Sequence, residues 1–219
     1  MATRKGSNEV PPSISAGCTR RGVALVAALL AGCAGLGKPP KPYAIHDLGL
    51  LEPVTQQIGL PITLIKVTAP SWLASSAMQY RLDYRSESER NIYTENRWAA
   101  MPAEMVNLEL SRALPLAPLD SGGGCLLHVS LDEFIQQFDR PDHSDAVIRS
   151  RIALIQNTSH LVVAERSLDV RQPAPTADAP GAARGFHDGV RQMAVQTAAW
   201  LDTLAEGRSS IDIKERCGR

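Results

Sequence analysis

Residues 126–171 read LLHVSLDEFIQQFDRPDHSDAVIRSRIALIQNTSHLVVAERSLDVR, three runs of period two joined by polar turns. In Ala146–Gln156, Ile148, Ile152 and Leu154 fall on one side, and Arg149 and Arg151 on the other. In Leu161–Arg171, Val162, Ala164, Leu168 and Val170 alternate with Val163, Glu165, Ser167, Asp169 and Arg171. Successive side chains of a strand point to opposite faces, so this alternation marks half-buried strands. Leu126–Phe138 alternates too, but changes phase near Glu133-Phe134, which predicts a bulge. Asn157–His160 supplies a turn. The three runs form a sheet with one apolar face, and that face needs a cover.

The cover follows in sequence. After the proline- and alanine-rich loop Pro173–Pro180, Phe186, Val190, Met193, Thr197, Leu201 and Leu204 step along one helical face, predicting a helix over 181–206 that Gly207 ends. The first half has the same order. Tyr43–Leu48 is a short strand; Ile62–Val67, bounded by Pro61 and Pro70, is β-branched; Ala77–Tyr84 and Asn91–Trp98 alternate. Pro102 suits the first turn of a helix and Glu104 its positive end; Pro115 and Pro118 stop it, giving a helix over 102–114. Strands followed by a helix thus occur twice. The expected fold class is α+β: a two-layer sandwich, a mostly antiparallel sheet with both helices on one face. It could be a (βββα)×2 pseudo-repeat, although no sequence repeat supports one. The domain spans 43–206, and the polar segment 207–219 is expected to fray.

Upstream lies a different kind of segment. Arg20-Arg21 precedes the apolar run Val23–Ala31, which closes on Leu30-Ala31-Gly32-Cys33. Basic flank, apolar run, small residues and cysteine, in that order, resemble the signal peptide and lipobox of bacterial lipoproteins. The run is about nine residues against the roughly twenty that cross a bilayer as a helix. Residues 1–32 are therefore expected to be a signal peptide, with Leu30, Ala31 and Gly32 read by the peptidase. Residues 33–42 are expected to be a lipidated tether, with a diacylglycerol and an N-acyl chain on Cys33 as the sole attached group and no further cofactor. Ala34, where inner-membrane lipoproteins carry aspartate, points to the periplasmic face of the outer membrane. The glycine- and proline-containing stretch Ala34–Pro42 reaches roughly 30 Å at full extension.

The whole chain is neutral. With Arg4, Lys5, Arg20, Arg21 and Glu9 set aside with the leader, 19 basic and 22 acidic residues remain. Nucleic acid, which calls for a basic patch, is not an expected partner. Of four cysteines, Cys18 leaves with the leader and Cys33 carries lipid. Cys125 and Cys217 could pair in an oxidising compartment or stay as two thiols.

Catalytic patterns are weak. His46, His128, His143, His160 and His187 show no metal-ligand spacing. Asp142-His143-Ser144-Asp145 sets acid, base and hydroxyl side by side, whereas a triad is assembled from distant segments. No G-x-S-x-G elbow occurs, and the glycines of Ser121–Gly124 lack a following Gly-Lys-Ser/Thr. The chain is not expected to be an enzyme. Trp72 and Leu73, large apolar residues after Pro70, are candidates for contact with a partner or lipid, or for capping the sheet core. Tyr80, Tyr93 and Trp98 are expected between sheet and helix, and Arg81 and Arg97 to pair with Asp83 or Glu95 across strands or to meet an acidic partner.

These landmarks come in a familiar order: the lipobox, Tyr43-x-Ile45-x-x-Leu48-Gly49, the Ile62–Val67 strand with Pro70 and Leu73, Met78-x-Tyr80-Arg81, then Tyr93 with Arg97-Trp98-Ala99 ahead of the first helix. The chain resembles the ABC-type transport auxiliary lipoproteins, the PqiC/YmbA-like family. It departs from them at Asp132-Glu133-Phe134 and in its charged 139–145 loop. The resemblance implies an outer-membrane lipoprotein that acts, without catalysis, as a docking subunit for a mammalian-cell-entry (MCE) domain protein in a system moving phospholipid or other hydrophobic molecules. A periplasmic lipid-binding carrier, or an assembly factor for an outer-membrane barrel or exporter, are the alternatives. Association into a homo-oligomer is left open.

Overall fold

The structure is a computed structural model and describes residues 42–118, 123–207 and 210–218. Leu30, Ala31, Gly32 and Cys33 lie outside the described residues. The elements run β1 (Ala44–His46), β2 (Ile62–Thr68), a 3-10 turn at Ser71–Leu73, β3 (Ala77–Leu82), β4 (Asn91–Trp98), α1 (Pro102–Ala113), β5 (Cys125–Arg140), β6 (His143–Gln156), β7 (Val162–Pro173), α2 (Ala179–Glu206) and α3 (Ser210–Gly218). One sheet holds the strands in the order β1-β4-β3-β5-β6-β7, with β2 also paired to β5.

The architecture is the expected α+β sandwich. Its long ladders, β5 with β6 and β6 with β7, are antiparallel. The sixteen-residue β5 organises the rest. Its first half takes β2 in parallel, from Ile62↔Cys125 to Thr68↔Ser130. Its second half takes β3 in parallel, from Tyr80↔Gln136 to Leu82↔Phe138. The two halves of the domain therefore share strands followed by a helix but not pairing: β5, β6 and β7 form a meander, whereas β2 and β3 both dock on β5.

The register shifts between Leu131 and Glu133, where Asp132 is the extra residue. Without that bulge Glu133 would continue the buried row Leu127, Val129, Leu131 and put a carboxylate in the core. With it, Phe134 resumes the apolar row and Glu133 turns to the opposite face, where Arg81 and Arg90 bind it at 3.2 and 2.8 Å.

Phe134 meets the helices. Its ring stacks on Phe186 of α2 at 3.9 Å between centroids, and Trp98 meets both rings edge-on. Phe186, Val190, Met193, Thr197 and Leu201 are buried as their spacing required. Small residues bring α2 close to the sheet: a Cβ on Gly185 or Gly189 would lie 3.0 Å from Ala146 or Ile148. At its start, Asp178 accepts the Gly181 N–H at 2.8 Å and the Thr176 hydroxyl at 2.6 Å. These donors hold its carboxyl below the usual carboxylate range, the Thr176 hydroxyl most of all. Glycine is needed at 181, since a Cβ there would stand 2.0 Å from the Thr176 carbonyl oxygen. Asp178→Ala should cost about 1 kcal/mol at pH 7. A depressed folded pKa gives stability that is present above the unfolded value, near pH 4, and lost as pH falls through the folded one. The gap between wild type and variant should therefore narrow in acid, as paired urea titrations at pH 7 and pH 3 would read.

The described part of the tail is ordered rather than frayed. Residues 210–218 form α3, with Ile213 and Cys217 buried in the common core. Cys217 is disulfide-bonded to Cys125 at the start of β5, Cα to Cα 5.0 Å, across a sequence separation of 92. Closing a loop of that length restricts the unfolded chain by about 4–5 kcal/mol in the chain-entropy model. Denaturing, non-reducing thiol titration should find both sulfurs blocked, and reduction should lower stability by about 2–5 kcal/mol. Two free thiols at these positions would contradict the pairing.

Candidate docking surfaces

Helix α1 is amphipathic because Met105, Val106, Leu110 and Ala113 are spaced to reach the core. Residues four apart share a face, and Glu104, Leu108 and Arg112 form its outer stripe. Helical spacing puts Leu108 on one flank with Met105 and Arg112, and Leu108 is 50% exposed. Other large apolar groups beside it are open as well: Leu50 is 74% exposed and Leu64 52%.

Two grooves flank this stripe. One, of about 420 Å³, lies between α1 and the segments Asp47–Leu50 and Ala99–Ala100, floored by Leu48 and Met105. The other, of about 620 Å³, lies between α1 and Leu64–Val67 of β2. Buried Glu109 fixes the first groove by accepting the Leu51 N–H at 2.9 Å and binding Arg112 at 2.5 Å. Behind it, the Leu48 carbonyl oxygen bonds His187 Nδ1 at 2.5 Å. Asn107 closes one end of the second groove by accepting the Val67 N–H at 3.2 Å.

The sheet face away from the helices differs. At one end, Leu64, Leu126, Ile155 and Val162 lie in register across β2, β5, β6 and β7, an aliphatic row with both ends exposed. Further along, Arg149 pairs with Asp169, Arg151 with Asp132 and Arg171 with Asp145. Burial pushes the Asp83 carboxyl up from its ordinary value, against the pull of Arg81, Arg171 and Arg149. Arg81 bonds Glu133 instead of Asp83. The Arg97 guanidinium lies 4.6 Å over the Tyr43 ring and donates to the Tyr93 and Asn96 carbonyls.

The sequence-derived candidates separate in space. Leu73 is buried in the core at 1% exposure, so it cannot touch a partner. Trp72 is 53% exposed, and its carbonyl accepts the Gln79 amide at 2.6 Å. Tyr80 and Tyr93 pack at 4.7 Å, and the Tyr93 hydroxyl donates to buried Gln136. In the 142–145 run, His143 bonds Asp139 at 2.7 Å, whereas Ser144 is buried and bonded to Gln136. Acid, base and hydroxyl do not converge. Among the described residues, no three His, Cys, Asp or Glu side chains gather to hold a metal ion, and no helix is long and apolar enough to cross a membrane.

The fold occurs in solved structures. Protein XCC0632 from Xanthomonas campestris, assigned to the DUF330 family, aligns with a TM-score of 0.60 at 17% identity, over 72% of this chain and 94% of that one. An uncharacterized protein aligns with a TM-score of 0.58 at 15% identity, over 74% and 99%. A comparison with curated proteins gives no match. A family model described as the ABC-type transport auxiliary lipoprotein component matches residues 50–198, from the groove-lining Leu50 to Ala198 in α2. The chain belongs to the ABC-type transport auxiliary lipoprotein family.

Proposed function

We propose that this member of the family is a periplasmic docking subunit, held on the outer membrane by acyl chains at Cys33, that captures an MCE-domain protein of an ABC transport system for phospholipid or other hydrophobic molecules. The observation that carries this reading is where the apolar surface lies. The space between sheet and helices, which a lipid carrier would need to keep open, is filled by the Phe134–Phe186 stack and Trp98. Open apolar groups lie instead on the outside, and Leu50, Leu64 and Leu108 among them line the two grooves beside α1. Exposed apolar patches of this kind serve contacts with other molecules. Anchoring both partners raises their effective concentration, so a weak interface is enough.

Affinity purification of the full-length lipoprotein from crosslinked cells tests the reading. The expected result is an MCE-domain protein recovered with wild type. Its repeated absence, or the recovery of an outer-membrane barrel instead, would overturn docking.

A further inference from the structure

The groove between α1 and Asp47–Leu50 has an apolar floor and an acidic rim. Leu48, Ala99, Ala100 and Met105 line it, and Leu50 and Leu108 stand open at its sides. Of the charged groups around it, Arg112 and Glu109 neutralise one another at 2.5 Å. Asp47 accepts the Gly49 N–H at 2.9 Å, and neither it nor Glu104 makes an ion pair among the described residues. The rim therefore carries two uncompensated carboxylates beside exposed leucines.

This charge decides the occupant. Anionic lipid headgroups meet like charge at Asp47 and Glu104, whereas lysine or arginine meets opposite charge. The walls decide its shape. On one side they are the flank of a helix; on the other, loops already tied by the Ala99 N–H to the His46 carbonyl. Such walls offer no row of free backbone groups. An extended strand laid there would leave its own N–H and C=O groups unpaired, while a helix satisfies its own. The stripe Glu104–Arg112 spans about two turns at 1.5 Å per residue, enough to seat a short helical face.

We infer that this groove receives an amphipathic helix with an apolar face and basic flanks. Leucine-sized side chains at i, i+3, i+4 and i+7 enter between Leu50 and Leu108, and the flanking cations pair with Asp47 and Glu104. The inference deepens the docking reading by naming the face and the kind of segment it takes, and it relies on that reading only for the biological partner.

The test uses the full-length lipoprotein in phosphatidylcholine nanodiscs and a labelled helical peptide of about 18 residues, leucines on one face and lysines on both flanks. A matched peptide carries glutamate in place of lysine. Fluorescence anisotropy should show the lysine peptide bound about tenfold tighter than the glutamate peptide, with the difference shrinking in high salt. Leu108→Asn should weaken the lysine peptide by about tenfold or more, and Glu104→Lys should narrow the preference between the two peptides. Val162→Asp, on the opposite sheet face, should leave binding unchanged. Leu108 is half exposed, so its variant is expected to fold, and the peptide pair reads charge preference on the unaltered protein. Equal binding of the two peptides, indifference to Leu108→Asn, or a signal reproduced by nanodiscs without protein would each overturn the inference. Peptide binding as expected with no MCE-domain protein found in cells would sink the docking reading and leave the groove assignment standing.

Discussion

Cys33→Ser should abolish incorporation of fatty acid into this protein and leave the leader uncleaved. The expectation rests on Leu30-Ala31-Gly32-Cys33. Only a thiolate-forming side chain serves as the acceptor of the diacylglyceryl group, and the signal peptidase for lipoproteins acts on the lipidated form. One acyl chain binds a bilayer weakly and reversibly, while two or more anchor it stably. Removing all of them is therefore a loss of anchoring, not a graded weakening. Labelling cells with an alkyne fatty acid should give a strong signal for wild type and none for the variant, and the variant should migrate as the heavier precursor. Unchanged labelling or normal processing of Cys33→Ser would remove the anchor from the account.

The second large effect is inside the fold. Phe186 is 1% exposed, stacks on Phe134 at 3.9 Å and meets Trp98 at 5.5 Å. These three rings join α2, β5 and β4, so the site has little freedom to collapse around a hole. Phe186→Ala should cost about 3–5 kcal/mol, a large share of the roughly 5–15 kcal/mol that stabilises a domain. At about 2–4 °C per kcal/mol for this chain length, the midpoint should fall by roughly 6–20 °C. Thermal unfolding followed by near-ultraviolet circular dichroism reads it directly. A change under about 1 kcal/mol would mean that the layer repacks, and the inter-layer space would regain its interest as a lipid cavity.

The strands and the two long helices were legible because their apolar residues keep strict periods. Asn91–Trp98 is a strand over those residues, and the phase change near Glu133-Phe134 marks a bulge at Asp132. Pairing was less legible. Period two says which face a residue takes but not which strand lies beside it. The docking of β2 on β5 joins Ile62 to Cys125 with a whole helix between them in sequence. The last helix was missed because its segment is polar on average. Its signal was the pair Ile213 and Cys217, four residues apart on one face, together with the partner that Cys125 supplies.

The candidate surface was legible only in part. Trp72 is exposed, but Leu73 beside it belongs to the core, since neighbouring residues in a tight turn point in different directions. Leu108 falls on one flank of its helix with Met105 and Arg112, a position that does not by itself fix its burial. Its exposure depends on how far the 47–51 segment covers α1, and Glu109 sets that by holding the Leu51 N–H. No local pattern records a contact across 58 residues.

Site-specific photo-crosslinking in living cells tests the docking claim most directly. A photoreactive amino acid would replace Leu108 in one strain and Val162 in another, each in the full-length lipoprotein, with adducts identified by mass spectrometry. Docking through the α1 groove gives an adduct with an MCE-domain protein from position 108 and none from position 162. The same adduct from position 162 alone, or no MCE-domain protein from either position, would contradict it.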